Sequence, residues 1–180
     1  MDPLEIIKKY YKIESMAFKI LVNHSKAVAE RALKIAEKFN VDKQLIYEAS
    51  MLHDIGIFMT NTPKFDCHGT FPYICHGYLG REILEKEGFP IHALVCERHT
   101  GVGITKEEII KNNLTLPQRD MIPISMEEKI IAFADKFFSK ESDGSVRVRA
   151  IDEIINDLAR YGEEKVKIFN EWLKLFEETA

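Results

Sequence analysis

A histidine is followed directly by an aspartate at His53-Asp54, the end of the apolar run LIYEASMLHDIG. Both side chains can bind a metal ion. Neighbours on a regular helix of ~3.6 residues per turn point about 100° apart. The pair can therefore address one ion only if the helix stops there, and Gly56 is the expected left-handed stop. The chain has six histidines: His24, His53, His68, His76, His92 and His99. Four of them fall on apolar stripes. His24 shares a face with Val28, His53 with Ala49 and His99 with Val95, while His76 starts a stripe through Gly80 and Ile83. Alone, a histidine in such a place is a core residue bonded to a backbone carbonyl. Asp135 fits that account less well, because it lies on the stripe Ile131, Asp135, Phe138. An ionised carboxylate there is costly unless it is paired or metal-bound.

Together, four imidazoles and two carboxylates can hold two metals, with Asp54 between them. This donor set suits iron, manganese, zinc and related ions. There is no short-range motif such as HExxH, so the donors must be brought together from separate helices.

Helical periodicity supplies those helices. Residues 25–39 place Val28, Ala32, Ile35 and Phe39 on one face. Asp42 is a good N-cap for a helix running to about His53. Further helices are expected over 78–87, from Pro90 to about His99, and over 105–111. Ser125 followed by Glu128 reads as a capping box ahead of IIAFADKFF. Two amphipathic helices are expected over 146–160 and 163–177, the last with Val166, Phe169, Trp172, Leu173 and Phe176 inward. Strand alternation is absent. Residues 56–76 and 112–124 read as irregular, and segments of this length inside a domain are usually functional.

With 180 residues and 46% hydrophobic content, the chain can build one all-α helical domain with a real core. A net charge of −4 provides no global field for nucleic acid. No apolar run is long enough to cross a bilayer, and the N-terminus lacks the apolar core of a signal peptide. Cytoplasmic location is expected, with Cys67, Cys75 and Cys96 reduced.

The order His24 … His53-Asp54 … Asp135 resembles the HD superfamily of metal-dependent phosphohydrolases. HSKAVAERALKIAEKF looks like its first histidine and the helix after it. LHDIG (52–56) looks like its central motif, and FADK (133–136) like its final aspartate motif. HGYLGREIL (76–84), ERHTGVG (97–103) and EEKIIAFADK (127–136) are similar to the binuclear branch, which includes bacterial enzymes that split diadenosine tetraphosphate symmetrically. The resemblance covers about residues 20–140 and implies a compact HD-type helical bundle over 1–180. Helices from about 145 to 178 would complete it.

The resemblance implies that His24, His53, Asp54 and Asp135 hold one metal, and Asp54, His76 and His99 a second. His68 and His92 match no ligand. Iron ranks first, then manganese, with cobalt, zinc and magnesium behind. The implied reaction is attack by metal-activated hydroxide on a phosphoester or phosphoanhydride, probed through Asp54, His53 and Lys136 as catalytic residues. Lys136, Arg81, Arg98 and Lys64 are the expected phosphate contacts. The partner is a small phosphorylated, nucleotide-like substrate rather than nucleic acid or membrane. The same ligand set also resembles that of mixed-valent di-iron oxygenases, and a nucleotide-binding module without turnover is a third reading. Many HDIG proteins carry a lysine straight after the glycine, where this chain has Ile57.

Overall fold

The computed structural model describes residues 1–177. Its helices are α1 (Pro3–Tyr10), α2 (Met16–Ala36), α3 (Lys43–Leu52), α4 (His76–Lys86), α5 (Pro90–Arg98), α6 (Lys106–Lys111), α7 (Met126–Asp135), α8 (Ile151–Ala159) and α9 (Glu163–Glu177). Two antiparallel pairs accompany them: β1 (Asn61–Thr62) with β2 (Cys67–His68), and β3 (Phe138–Lys140) with β4 (Val146–Val148). The architecture is all-α, as expected from the periodicity.

α2 divides two cores. Its residues Val28, Ala32, Ile35 and Ala36 pack with α3, α7, α8 and α9 around Phe133, Phe169 and Phe176. Ala17, Leu21, Val22 and Ala29, on its other face, pack with α1, α4 and α5 around Ile7, Leu52 and Leu84. Each fully buried large apolar side chain contributes about 1.5–3 kcal/mol, which offsets the cost of burying polar groups nearby. The inner face expected of α9 is formed: Phe169, Trp172 and Phe176 are buried, and Val166 and Leu173 pack at the edge. The last three residues of the expected 1–180 range, 178–180, lie outside the described residues.

Several boundaries differ from expectation. α2 begins at Met16, capped by Ser15, so His24 sits inside the helix rather than ahead of it. Residues 146–148, expected to be helical, form β4 instead, and the helix begins only at Ile151. The register Phe138↔Val148, Ser139↔Arg147, Lys140↔Val146 defines the hairpin. Three-residue strands are too short for alternation to stand out against a helical pattern. The hairpin is tied to α2, where Lys19 Nζ donates to Asp143 O (2.9 Å) and Asn23 Nδ2 to Gly144 O (2.8 Å).

The irregular stretch 56–76 is more ordered than its composition suggests. It contains 3₁₀ turns at Ile55–Met59, Pro63–Phe65 and Tyr73–Cys75 together with the β1–β2 pair. Its aromatics pack: Phe58 lies against Tyr10 and Tyr11, and Phe65 against Tyr73. The capping box at Ser125 is half formed. Ser125 Oγ accepts from Glu128 N, but Glu128 Oε2 takes the Ile124 N–H instead of closing on Ser125.

Candidate metal centre

α3 ends at Leu52 and His53 keeps right-handed helical angles, but Asp54 moves to φ −107°, ψ 10°. That bridge conformation opens the following 3₁₀ turn and lets neighbouring side chains converge. Gly56 is not the left-handed stop expected of it, since it is absent from the positive-φ glycines. Its role is close approach: a Cβ there would lie 2.2 Å from His76 O and 2.5 Å from Gly80 N. The missing side chain lets the start of α4, and so His76, press against the turn after Asp54.

The two Asp54 oxygens face different partners. Oδ2 lies 3.4 Å from His24 Nε2 and 3.3 Å from His53 Nε2. Oδ1 lies 3.3 Å from His76 Nε2 and 3.4 Å from His99 Nε2. Asp135 Oδ1, at the end of α7, is 2.9 Å from His24 Nε2 and 3.5 Å from His53 Nε2. Two overlapping donor groups result, His24/His53/Asp54/Asp135 and Asp54/His76/His99, with ligand atoms in each within 4.8 Å of one another. α2, α3, α4, α5 and α7 each supply or abut a donor.

Three imidazoles are held the same way. His53 Nδ1 pairs with Ser50 O (2.6 Å), His76 Nδ1 with Tyr73 O (2.6 Å) and His99 Nδ1 with Cys96 O (2.7 Å). A carbonyl can only accept, so each Nδ1 carries the hydrogen and each Nε2 presents a lone pair in the neutral ring. The carbonyl-bonded core histidine and the metal-ready histidine are therefore the same residue seen from its two nitrogens. His76 Nε2 and His99 Nε2 face one another at 3.1 Å. Two lone pairs at that distance repel unless a proton or cation lies between them. His53 Nε2 and both Asp54 oxygens are buried without an aligned hydrogen-bond partner. Buried polar atoms left this way are costly, and a cation accepting these donors fits the set.

The electrostatics agree. Burial pushes His24 down to about 4 and His76 down to about 3, and it lowers His99. Burial also opposes charge on His53, but Asp54 and Asp135 overcome it and raise that ring to about 9. Burial would raise the Asp54 carboxyl, yet Lys140 and His53 hold it well below the usual carboxylate range. Lys136 and the two histidines do the same for Asp135. On the Oδ2 side, His53 thus attracts positive charge strongly enough to overcome burial, whereas His24 does not.

The family model of the HD domain matches residues 21–139 of the chain. The chain belongs to the HD domain family. A curated relative is the uncharacterised protein MJ0778 of Methanocaldococcus jannaschii, 39% identical over 84% of this chain and 83% of its own. Two tRNA (cytidine(56)-2'-O)-methyltransferases, from Thermoplasma volcanium and Picrophilus torridus, are 34% and 36% identical over 80% and 68% of this chain. This HD chain spans only 38% and 32% of their lengths. Among solved structures, the HD domain of the L. monocytogenes phosphodiesterase PgpH aligns with TM-score 0.51 and 18% identity, over 92% of this chain and 98% of that one. The same domain in complex with cyclic-di-AMP aligns with TM-score 0.53 and 19% identity, over 95% and 92%. At that identity the likeness shows the shared HD fold.

Lys136 caps α7, and its Nζ reaches back to 2.9 Å from Asp135 Oδ2, although a helical neighbour would be expected to face elsewhere. Arg81 binds Glu85 and Glu97, and Arg98 binds Glu128. Lys64 is exposed, with Glu141 3.9 Å away. The structure does not show these three cations in contact with the cluster. His68 is exposed beside Asp66, and His92 bonds Glu48. Sequence reasoning missed Lys140. Its Nζ lies 2.6 Å from Asp54 Oδ2, and its side chain is only 9% exposed. Burial works against its charge, but Asp54 and then Tyr73 hold the ammonium above the usual lysine range. Phe138 packs on the core and Lys140, two residues on, points to the same side of β3, a relation readable only once the strand is known.

Among the described residues, no helix is long and apolar enough to cross a membrane.

Proposed function

We propose that this chain is a metal-dependent phosphohydrolase acting on a phosphoester or phosphoanhydride of a small, nucleotide-like molecule. His24, His53, Asp54 and Asp135 would hold one transition-metal cation, and Asp54, His76 and His99 a second, with iron or manganese the leading choices. The observation that carries this reading is the division of Asp54, one oxygen toward each donor group. Bound there, two such cations would supply Lewis-acid chemistry, activating water and neutralising charge on phosphoryl oxygens. The chain's own residues then have defined tasks. Carbonyl bonds from Ser50, Tyr73 and Cys96 hold His53, His76 and His99 in the right tautomer. Asp54 and Asp135 supply the negative charge, and Lys136 orients Asp135.

A nucleotide-like substrate is supported by the complex of the similar PgpH domain with cyclic-di-AMP. The methyltransferase relatives carry additional chain, so methyl transfer is not carried over from them. A net charge of −4 favours a small ligand over a polyanionic RNA. The three cysteines are free and buried, in keeping with a reducing, cytoplasmic setting.

The test is metal analysis of purified protein, followed by a phosphoester panel with Fe, Mn, Co, Zn and Mg under anaerobic conditions. Two metals per chain and oxygen-independent product release are expected. Metal-replete protein that turns over no phosphoester but consumes oxygen would replace this reading with an oxygenase.

A further inference from the structure

Lys140 and Lys136 each contact one of the two cluster carboxylates, Asp54 and Asp135. The four groups sum to zero formal charge. This balance has a consequence that rests on the reading under "Proposed function". With two divalent cations among the same donors, both ammonium groups face excess positive charge. The partner that can satisfy all of them at once is an anion.

Lys140 is the better placed of the two to take it. Its contact with Asp54 Oδ2 is close, but that oxygen has no aligned hydrogen bond, so the contact is one of charge. Nζ also donates to Tyr73 Oη at 3.4 Å. Tyr73 is 38% exposed and stacks on His76, with ring centroids 4.6 Å apart and planes at 29°. The Lys140 ammonium therefore bridges the buried carboxylate and a tyrosine at the surface. Asp54 is 1% exposed and His53 is fully buried, whereas Tyr73 reaches the surface beside Lys140. The backbone behind Lys140 is fixed, because β3 pairs with β4 and the connecting turn is bonded to α2. A rigid strand carrying one long cationic side chain suits positioning: the ammonium can move while its base does not.

We propose that Lys140 is a substrate-positioning residue whose ammonium passes from Asp54 to a substrate phosphoryl oxygen when the metal cluster is filled, with Tyr73 flanking the same phosphate. The ligand chemistry is a phosphoryl dianion or diester, recognised through its charge.

The experiment titrates inorganic phosphate into Mn(II)-loaded wild type, Lys140→Met, Lys140→Arg and, as a surface control, Lys167→Met. Mn(II) binding to each protein is measured first. Lys140→Met is expected to bind Mn(II) at least as tightly as wild type and to bind phosphate about 10- to 100-fold more weakly, the scale of a lost charge-assisted hydrogen bond. Lys140→Arg should recover much of that loss, and the control should match wild type. With a turned-over phosphoester, the Lys140→Met defect should fall on KM more than on kcat. Unchanged phosphate affinity in Lys140→Met would overturn the assignment while leaving the metal site intact. Parallel loss of Mn(II) and phosphate would show Lys140 only holding Asp54 in place, and would also overturn it. A wild type that binds no Mn(II) and no phosphate would overturn both this proposal and the hydrolase reading.

Discussion

On the Oδ2 side of Asp54, two carboxylates and two imidazoles converge, with Lys136 and Lys140 balancing their charge. On the Oδ1 side, among the described residues, stand His76 and His99, whose nitrogens face one another. The first group has four donors and can close around a cation. The second has three and leaves coordination positions open, the pattern that separates holding sites from reacting ones. The difference follows from the chain. α2, α3 and α7 deliver the closed group from the centre of the fold, whereas α4 and α5 deliver the open group next to the surface residue Tyr73.

Asp54→Ala breaks the comparison outright, because it removes the one residue both groups share. Hydrolysis should fall by at least about 10³-fold, the upper range for loss of a single electrostatic catalytic group. Both metals should be lost in elemental analysis, while the helical circular dichroism stays near wild type. Full metal content in this variant would show that the groups do not depend on a shared carboxylate. Paired variants sharpen the contrast. His99→Ala should keep one tightly held metal and lose the second, whereas His24→Ala should weaken the tighter one. Activity should drop at least about 100-fold in each, more than changing a ligand's own hydrogen-bond partner usually costs. Metal stoichiometry at increasing chelator concentration separates the two. The same loss from both variants would make the sites equivalent.

The closed and open groups were not equally legible in the sequence. His53-Asp54 stands out because adjacent donors at a helix end need a local break, and the structure supplies one at Asp54. Asp135 stands out because a carboxylate on an apolar stripe requires a partner. Helix periodicity placed α3, α5, α7 and α9 to within a few residues. What was hidden depends on contacts between distant segments. Lys140 sits on a three-residue strand whose pairing with Val146 no local pattern reveals. Gly56 reads as a helix stop by local rules, but its reason is the α4 backbone against it. Arg81 and Arg98, expected phosphate contacts in the sequence, face Glu97 and Glu128 across helices, partners that no local pattern names.

Gly56→Ala tests whether the open group depends on that backbone contact. The added methyl must displace either the turn or α4, at a cost of about 1–3 kcal/mol typical of overpacking. Urea midpoints should fall accordingly. Because α4 carries His76, the second metal should weaken while the first is retained. Loss of stability with both metal affinities unchanged would mean that α4 adjusts without moving His76.

The smallest expected effect is on the pH dependence of stability in chelator-treated protein, and it separates His53 from the other imidazoles. His24 and His76 sit at about 4 and about 3 in the fold, below the ordinary histidine value of about 6.5. Their contribution is fully present above pH ~6.5 and is lost as pH falls through that window, because the unfolded chain takes up the protons first. His53 runs the other way, since the fold raises it to about 9. Its contribution is present below pH ~6.5 and is lost as pH rises toward the folded value. The net change is modest, and stability should pass through a maximum between the two limbs. Metal replaces the proton on His53, so urea midpoints of metal-loaded protein should lose the alkaline limb and keep an acid one as protons compete for the ligands. An alkaline limb of the same size with and without chelator would place that titration outside the closed group and remove the charge preference assigned to His53.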